Sequence, residues 1–101
     1  MESIPFDLHE LIDRTAESMA VLAHAKHITL LAFVHPQVPV SILGDPTRLR
    51  QVLVSLVGNA VKFTPPGGHV SIRSEVQQGM IHLRVNDSGA GIAAEKIPQL
   101  F

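Results

Sequence analysis

The chain has 101 residues, 46% of them hydrophobic and 17% charged, with a formal charge of −1 at pH 7. That is one globular domain or a piece of one, and its near-neutral balance carries no electrostatic footprint for nucleic acid or an anionic membrane surface. The absence of cysteine excludes a disulfide framework, a thiolate metal site and a catalytic thiol.

In chain order, residues 4–7 (Ile-Pro-Phe-Asp) read as a short extended segment, because Pro5 lacks an amide and biases Ile4 away from helix. Asp7 caps the helix that begins after it. Over residues 8–26, Leu8, Leu11, Ile12, Thr15, Met19, Leu22 and Ala23 recur at helical spacing and predict one buried stripe. Residues 28–34 form a near-continuous β-branched and aliphatic run of strand length, which predicts burial on both faces, and Pro36 and Pro39 end it. Residues 40–43 predict a second short strand.

Gly44-Asp45-Pro46 is a helix start, with Asp45 at the N-cap and Pro46 at the first helical position. This helix runs to residue 63, where Pro65-Pro66-Gly67-Gly68 stops it. Residues 70–76 alternate apolar with polar side chains, and after Gln77-Gln78-Gly79 residues 80–86 alternate again, predicting a β-hairpin with one covered face. Residues 93–101 predict the beginning of a short helix. The longest apolar runs, residues 28–34 and 52–57, fall far below the roughly 20 residues of a bilayer span. No charged-then-apolar leader opens the chain, so a soluble cytoplasmic domain is expected, whether free or part of a larger membrane protein.

The central helix separates chemistry from packing. Leu49, Val52, Leu53, Leu56, Val57 and Ala60 form its core stripe, while Arg48, Ser55, Asn59 and Lys62 share another face. Solvation alone explains many such polar rows. Here, however, Asn is a poor helix-interior residue, costing on the order of 0.5 kcal/mol against alanine, and the adjacent Gly58 costs about 1 kcal/mol more. Two unfavourable residues side by side point to a site that needs an amide oxygen and close approach. An amide oxygen suits a hard cation such as Mg²⁺, which keeps waters and substrate phosphates in its shell, and Lys62 reaches a phosphate as a flexible point charge.

Asn86-Asp87-Ser88-Gly89-Ala90-Gly91-Ile92 ends the second hairpin strand in a glycine turn. Gly89 and Gly91 let backbone approach a flat ligand, and Asp87 offers an acceptor-only carboxylate to an exocyclic amine. A plain turn prefers the same residue types.

Taken in this order, the motifs resemble those of the ATP-binding catalytic domain of sensor histidine kinases, within the superfamily that also holds DNA gyrase, Hsp90 and MutL. Residues 48–53 leading into Gly58-Asn59-Ala60-Val61-Lys62-Phe63-Thr64 look like the N box, residues 87–92 like the G1 box, and Ile97-Pro98-Gln99-Leu100-Phe101 like the start of the F box. Phe6-Asp7-Leu8 and Gly44-Asp45-Pro46 are similar to those of hybrid, multi-domain kinases, and Lys-Phe-Thr after Asn-Ala favours histidine kinases over the gyrase branch. The resemblance covers nearly the whole chain.

It implies an α/β class and a two-layer α/β sandwich of Bergerat type, a mixed sheet with helices on one face, residues 1–101 being the N-terminal larger part. It also implies ATP and Mg as cofactors. Asn59 would hold Mg²⁺, Lys62 would contact phosphate, Asp87 would read the adenine amine, Gly89 and Gly91 would line the base pocket, and Phe63 and Ile92 would belong to the ATP site. The γ-phosphate would pass to a histidine on a separate dimerisation domain, then through a phosphorelay to a response-regulator receiver domain. The parent would be cytoplasmic or anchored in the inner membrane.

Two departures qualify this. Ser55 stands where the family usually has Asn or a comparable polar group touching metal or water. The chain also stops before the ATP lid and second glycine box, which predicts an incomplete, inactive site in this piece and an uncovered strand edge inviting self-association. Two other readings therefore stay open, a degenerate interaction module that binds partner domains without ATP and another ATPase of the same superfamily. His9-Glu10-Leu11-Ile12-Asp13-Arg14-Thr15 superficially resembles a phospho-acceptor box, but no second long helix comes directly after it, so a surface or half-buried histidine is expected. His24, His27, His35, His69 and His82 lack the companions of a metal set.

Overall fold

The computed structural model describes residues 3–88 and the backbone of residues 92–98. The elements run β1 (Ile4–Asp7), α1 (Leu8–Ala25), β2 (Thr29–Val34), β3 (Ser41–Gly44), α2 (Pro46–Phe63), β4 (His69–Gln77), β5 (Met80–Asp87) and β6 (Ile92–Pro98). β1 and β3 form a small antiparallel pair, and the remaining strands form one mixed sheet in the order β2-β4-β5-β6. In that sheet β2 runs parallel to β4, and the other neighbours are antiparallel. The result is a two-layer α/β sandwich.

Both helices start where local chemistry places them. The Asp7 carboxylate accepts from the Glu10 amide at 2.9 Å, and the Asp45 carboxylate accepts from the Arg48 amide at 3.1 Å. Pro46 occupies a first-turn position of α2, where its missing amide costs nothing. The end of α1 is a Schellman turn: the Ile28 amide donates to Ala23 O and the His27 amide to His24 O, both at 2.9 Å. It requires His27 at φ 62°, a left-handed position filled by a residue other than glycine. The β4–β5 hairpin closes on Gln78 and Gly79, whose φ values of 53° and 74° match a primed two-residue turn.

The core lies between the helix layer and one face of the sheet. Leu8, Ile12, Thr15, Met19 and Ala23 of α1 are buried, with Leu49, Leu53, Val57, Ala60 and Val61 of α2. They meet Val70, Ile72, Ile81, Leu83 and Val85, none of which is more than 1% exposed. At roughly 1.5–3 kcal/mol for each fully buried large aliphatic side chain, these rows carry most of the stability.

The structure corrects three expectations. Leu22 is 51% exposed, so the α1 stripe is narrower than its spacing predicts. β2 is covered on one face only, with Leu31 and Phe33 exposed, because the helices occupy a single side of the sheet and no layer among the described residues covers the other. The Arg73 guanidinium lies 4.9 Å from the Phe33 ring centroid and partly screens it. Finally, residues 92–98 form β6 rather than a helix. Pairing Met80↔Pro98 through Asn86↔Ile92 satisfies the outer edge of β5, and that ladder outweighs the helical propensity of Ala93-Ala94-Glu95-Lys96. The remainder of the predicted helix lies outside the described residues.

Candidate functional site

Asn59, Lys62 and Phe63 occupy the last turn of α2, all exposed. Ser55 lies one turn earlier on the same side, also exposed. The Lys62 ammonium rests 5.4 Å from the Phe63 ring centroid, a weak contact for two exposed side chains, which leaves the lysine able to swing toward an anion.

Asp87 is the last residue of β5 and lies directly opposite Val70, which is fully buried beneath the helices. Opposed residues of an antiparallel pair share a face, so the Asp87 side chain is on the helix-covered side of the sheet, at the end of the strand.

The two halves meet at Gly68. α2 ends on Thr64, fully buried, whose amide and hydroxyl both donate to Ala60 O, at 3.0 and 2.7 Å. From there the chain turns into β4, and His69 exchanges two bonds with Ser88. The His69 amide donates to Ser88 Oγ and the Ser88 amide donates to His69 O, each at 2.9 Å. A Cβ placed on Gly68 would overlap Thr64 Cγ2 and lie 2.7 Å from Ser88 Oγ, so only glycine lets the end of α2 and the residue after Asp87 come this close. Thr64, Gly68 and Ser88 thus hold the end of α2 against the end of β5, a structural role that the sequence alone does not assign to them. Gly68 reads locally as a helix stop, and nothing in its neighbours signals the approach of a residue 20 positions later.

Gly89 and Gly91, and the side chain of Ile92, lie outside the described residues, as does most of the segment resembling the F box. A groove of about 790 Å³ lies elsewhere, between the first halves of α1 and α2. Phe6, Leu11, Arg50 and Val54 line it together with Ser55, but Asn59, Lys62 and Asp87 do not. It is open and mixed in polarity. His9 Nε2 donates to Val38 O at 2.9 Å, with the ring half-buried between α1 and the loop after β2. That contact gives the histidine a packing role in place of the phospho-acceptor resemblance.

A magnesium ion fits the donor set. Among the described residues no group of three or more His, Cys, Asp or Glu could hold a metal by itself, but Mg²⁺ bound with nucleotide needs only one or two protein oxygens beside phosphates and water. The exposed Asn59 amide, in the last turn of α2, would be the group to offer such an oxygen.

Residues 44–101 match the family model described as histidine kinase-, DNA gyrase B-, and HSP90-like ATPase, and the chain belongs to that family. Within it, the likeness is to the ATP-binding domain of sensor histidine kinases. The sensor histidine kinase GacS of Pseudomonas protegens is 38% identical over 105 residues, an alignment spanning 100% of this chain and 12% of GacS. The catalytic domain of histidine kinase ThkA superposes with a TM-score of 0.79 at 29% identity, over 92% of this chain and 63% of that one. Full-length ShkA in complex with AMPPNP superposes with a TM-score of 0.80 at 38% identity, over 90% of this chain and 19% of ShkA. The chain thus spans about a tenth of the length of several curated relatives it matches. No helix among the described residues is long and apolar enough to cross a membrane.

Proposed function

We propose that the chain is the N-terminal larger part of a histidine-kinase ATP-binding domain, and that it binds the adenine and the metal–phosphate side of Mg·ATP at the junction of α2 and β5. The observation that supports this reading is the meeting at Gly68 of Thr64, which follows the Asn59–Lys62 turn, with Ser88, which follows Asp87. Asp87 would accept from the adenine amine, Asn59 would hold Mg²⁺ through its amide oxygen, Lys62 would contact phosphate, and Gly89, Gly91, Phe63 and Ile92 would complete the pocket. The metal would neutralise charge across the phosphates. Phosphoryl transfer asks for positioning and electrostatics rather than covalent chemistry from the protein, which suits a site built from helix-end and strand-end groups.

In the whole kinase the phosphoryl acceptor would be a histidine on a dimerisation domain, followed by a response-regulator receiver domain. ThkA in complex with response regulator protein TrrA, a neighbour at TM-score 0.76 and 27% identity, supports that kind of partner. The parent would act in the cytoplasm, either free or tethered to the inner membrane.

Titration of the chain with a fluorescent ATP analogue, with and without Mg²⁺, tests the reading. Asp87→Ala is expected to weaken binding roughly 10- to 100-fold, the worth of a charge-assisted hydrogen bond. Asn59→Ala is expected to abolish the Mg²⁺-dependent gain. Equal weak binding by all three proteins would sink the proposal and favour a degenerate interaction module.

A further inference from the structure

We infer that Lys26, at the C-cap of α1, is a positioning residue for the phosphate and metal side of the site, an inference that rests on the nucleotide reading above. Its side chain crosses from α1 to α2, where the ammonium donates to Val61 O at 2.8 Å and to Lys62 O at 2.6 Å. The last carbonyls of a helix have no donor within the helix and carry the negative end of its dipole. A cation held there keeps the final turn wound. One of the two carbonyls belongs to Lys62 itself, and Asn59 sits on the same turn.

The backbone around Lys26 grips the same segment. Gly67 donates to His27 O at 2.8 Å, and Thr29 donates to Gly68 O at 3.1 Å. The corner between α1 and β2 therefore holds the connection from α2 to β4 just beyond Thr64. Asp87 is fixed separately, through its place opposite Val70 and through the bonds of Ser88 to His69. Lys26 thus bears on the groups that would meet metal and phosphate, and not on the carboxylate that would meet adenine.

That separation gives the test a selective readout. Affinities for Mg·ATP and for adenosine are measured on the chain, on Lys26→Met and on Lys26→Arg, by amide-shift titration. Lys26→Met is expected to weaken Mg·ATP about tenfold while leaving adenosine unchanged, and Lys26→Arg, which keeps the donors and the charge, is expected to restore it. An unchanged Mg·ATP affinity in Lys26→Met, or an equal loss for both ligands, would overturn the positioning role. Should Lys26→Met fail to fold, Lys26→Gln, which keeps a neutral donor, carries the same comparison. Failure of the unsubstituted chain to bind either ligand would overturn the nucleotide reading itself, and this inference with it.

Discussion

Gly58 and Gly68 lie on either side of the end of α2 and answer to different forces. A Cβ at Gly58 would sit 3.7 Å from Met19 Cε, an ordinary contact, inside a helix where glycine costs about 1 kcal/mol against alanine. Packing gives no reason for the glycine, which accords with a residue kept for ligand approach. Gly58→Ala is accordingly expected to raise the thermal midpoint by about 4–8 °C. At Gly68 the added methyl would meet Thr64, Ser88 and the Pro65 carbonyl together, and Gly68→Ala is expected to destabilise by about 1–3 kcal/mol. Thermal unfolding of the two variants, moving in opposite directions, checks both expectations. The sequence makes Gly58 visible as an anomaly because helix propensity is local. It leaves Gly68 silent, because part of its constraint comes from Ser88, 20 residues further along the chain, and the rest from a turn geometry that Thr64 and Pro65 do not announce.

At the scale of elements, what could be read from the sequence divides in the same way. The starts of α1 and α2 were legible because Asp7 and Asp45 bond amides three residues on. The hairpin was legible because alternation in residues 70–76 and 80–86 records a sheet with one covered face. The exposure of β2 was not, since Leu30-Leu31-Ala32-Phe33-Val34 reads alike whether one layer covers it or two. Nor was β6, where pairing with β5 overrides local preference. The end of α1 shows an element carrying local strain: His27 holds φ 62° to complete the Schellman turn, at a cost that glycine would avoid. His27→Gly is expected to stabilise by about 1 kcal/mol, seen as a higher urea midpoint with an unchanged slope.

For the molecule as a whole, the sheet order places β2 at one edge. The sequence predicts an uncovered strand edge, and among the described residues the order β2-β4-β5-β6 leaves β2 and β6 at the two edges, of which β2 is the one whose side chains are described. Thr29 donates toward β4 through Gly68 O, and His35 donates through Ser74 O, so the alternate residues Leu30, Ala32 and Val34 turn their backbone groups outward. The strand contains no charge or proline to discourage pairing, and Leu31 and Phe33 are 45% and 46% exposed. Concentration-dependent self-association is expected in sedimentation velocity, and Leu31→Lys is expected to reduce it with a stability change within about 0.5 kcal/mol. Unchanged association in that variant would exclude the β2 edge.

The parallel pairing of β2 with β4 also sets an order of assembly. Leu30 meets Val70 only after the whole of β3 and α2 has been traversed, so this contact closes a long loop, while β4 and β5 join across two residues. The hairpin is the part that can form early, and α1 with β2 must wait for it. During synthesis, the first third of the chain would emerge with its apolar strand unpaired, and it would reach its place only once the residues that terminate α2 and begin β4 have emerged in turn.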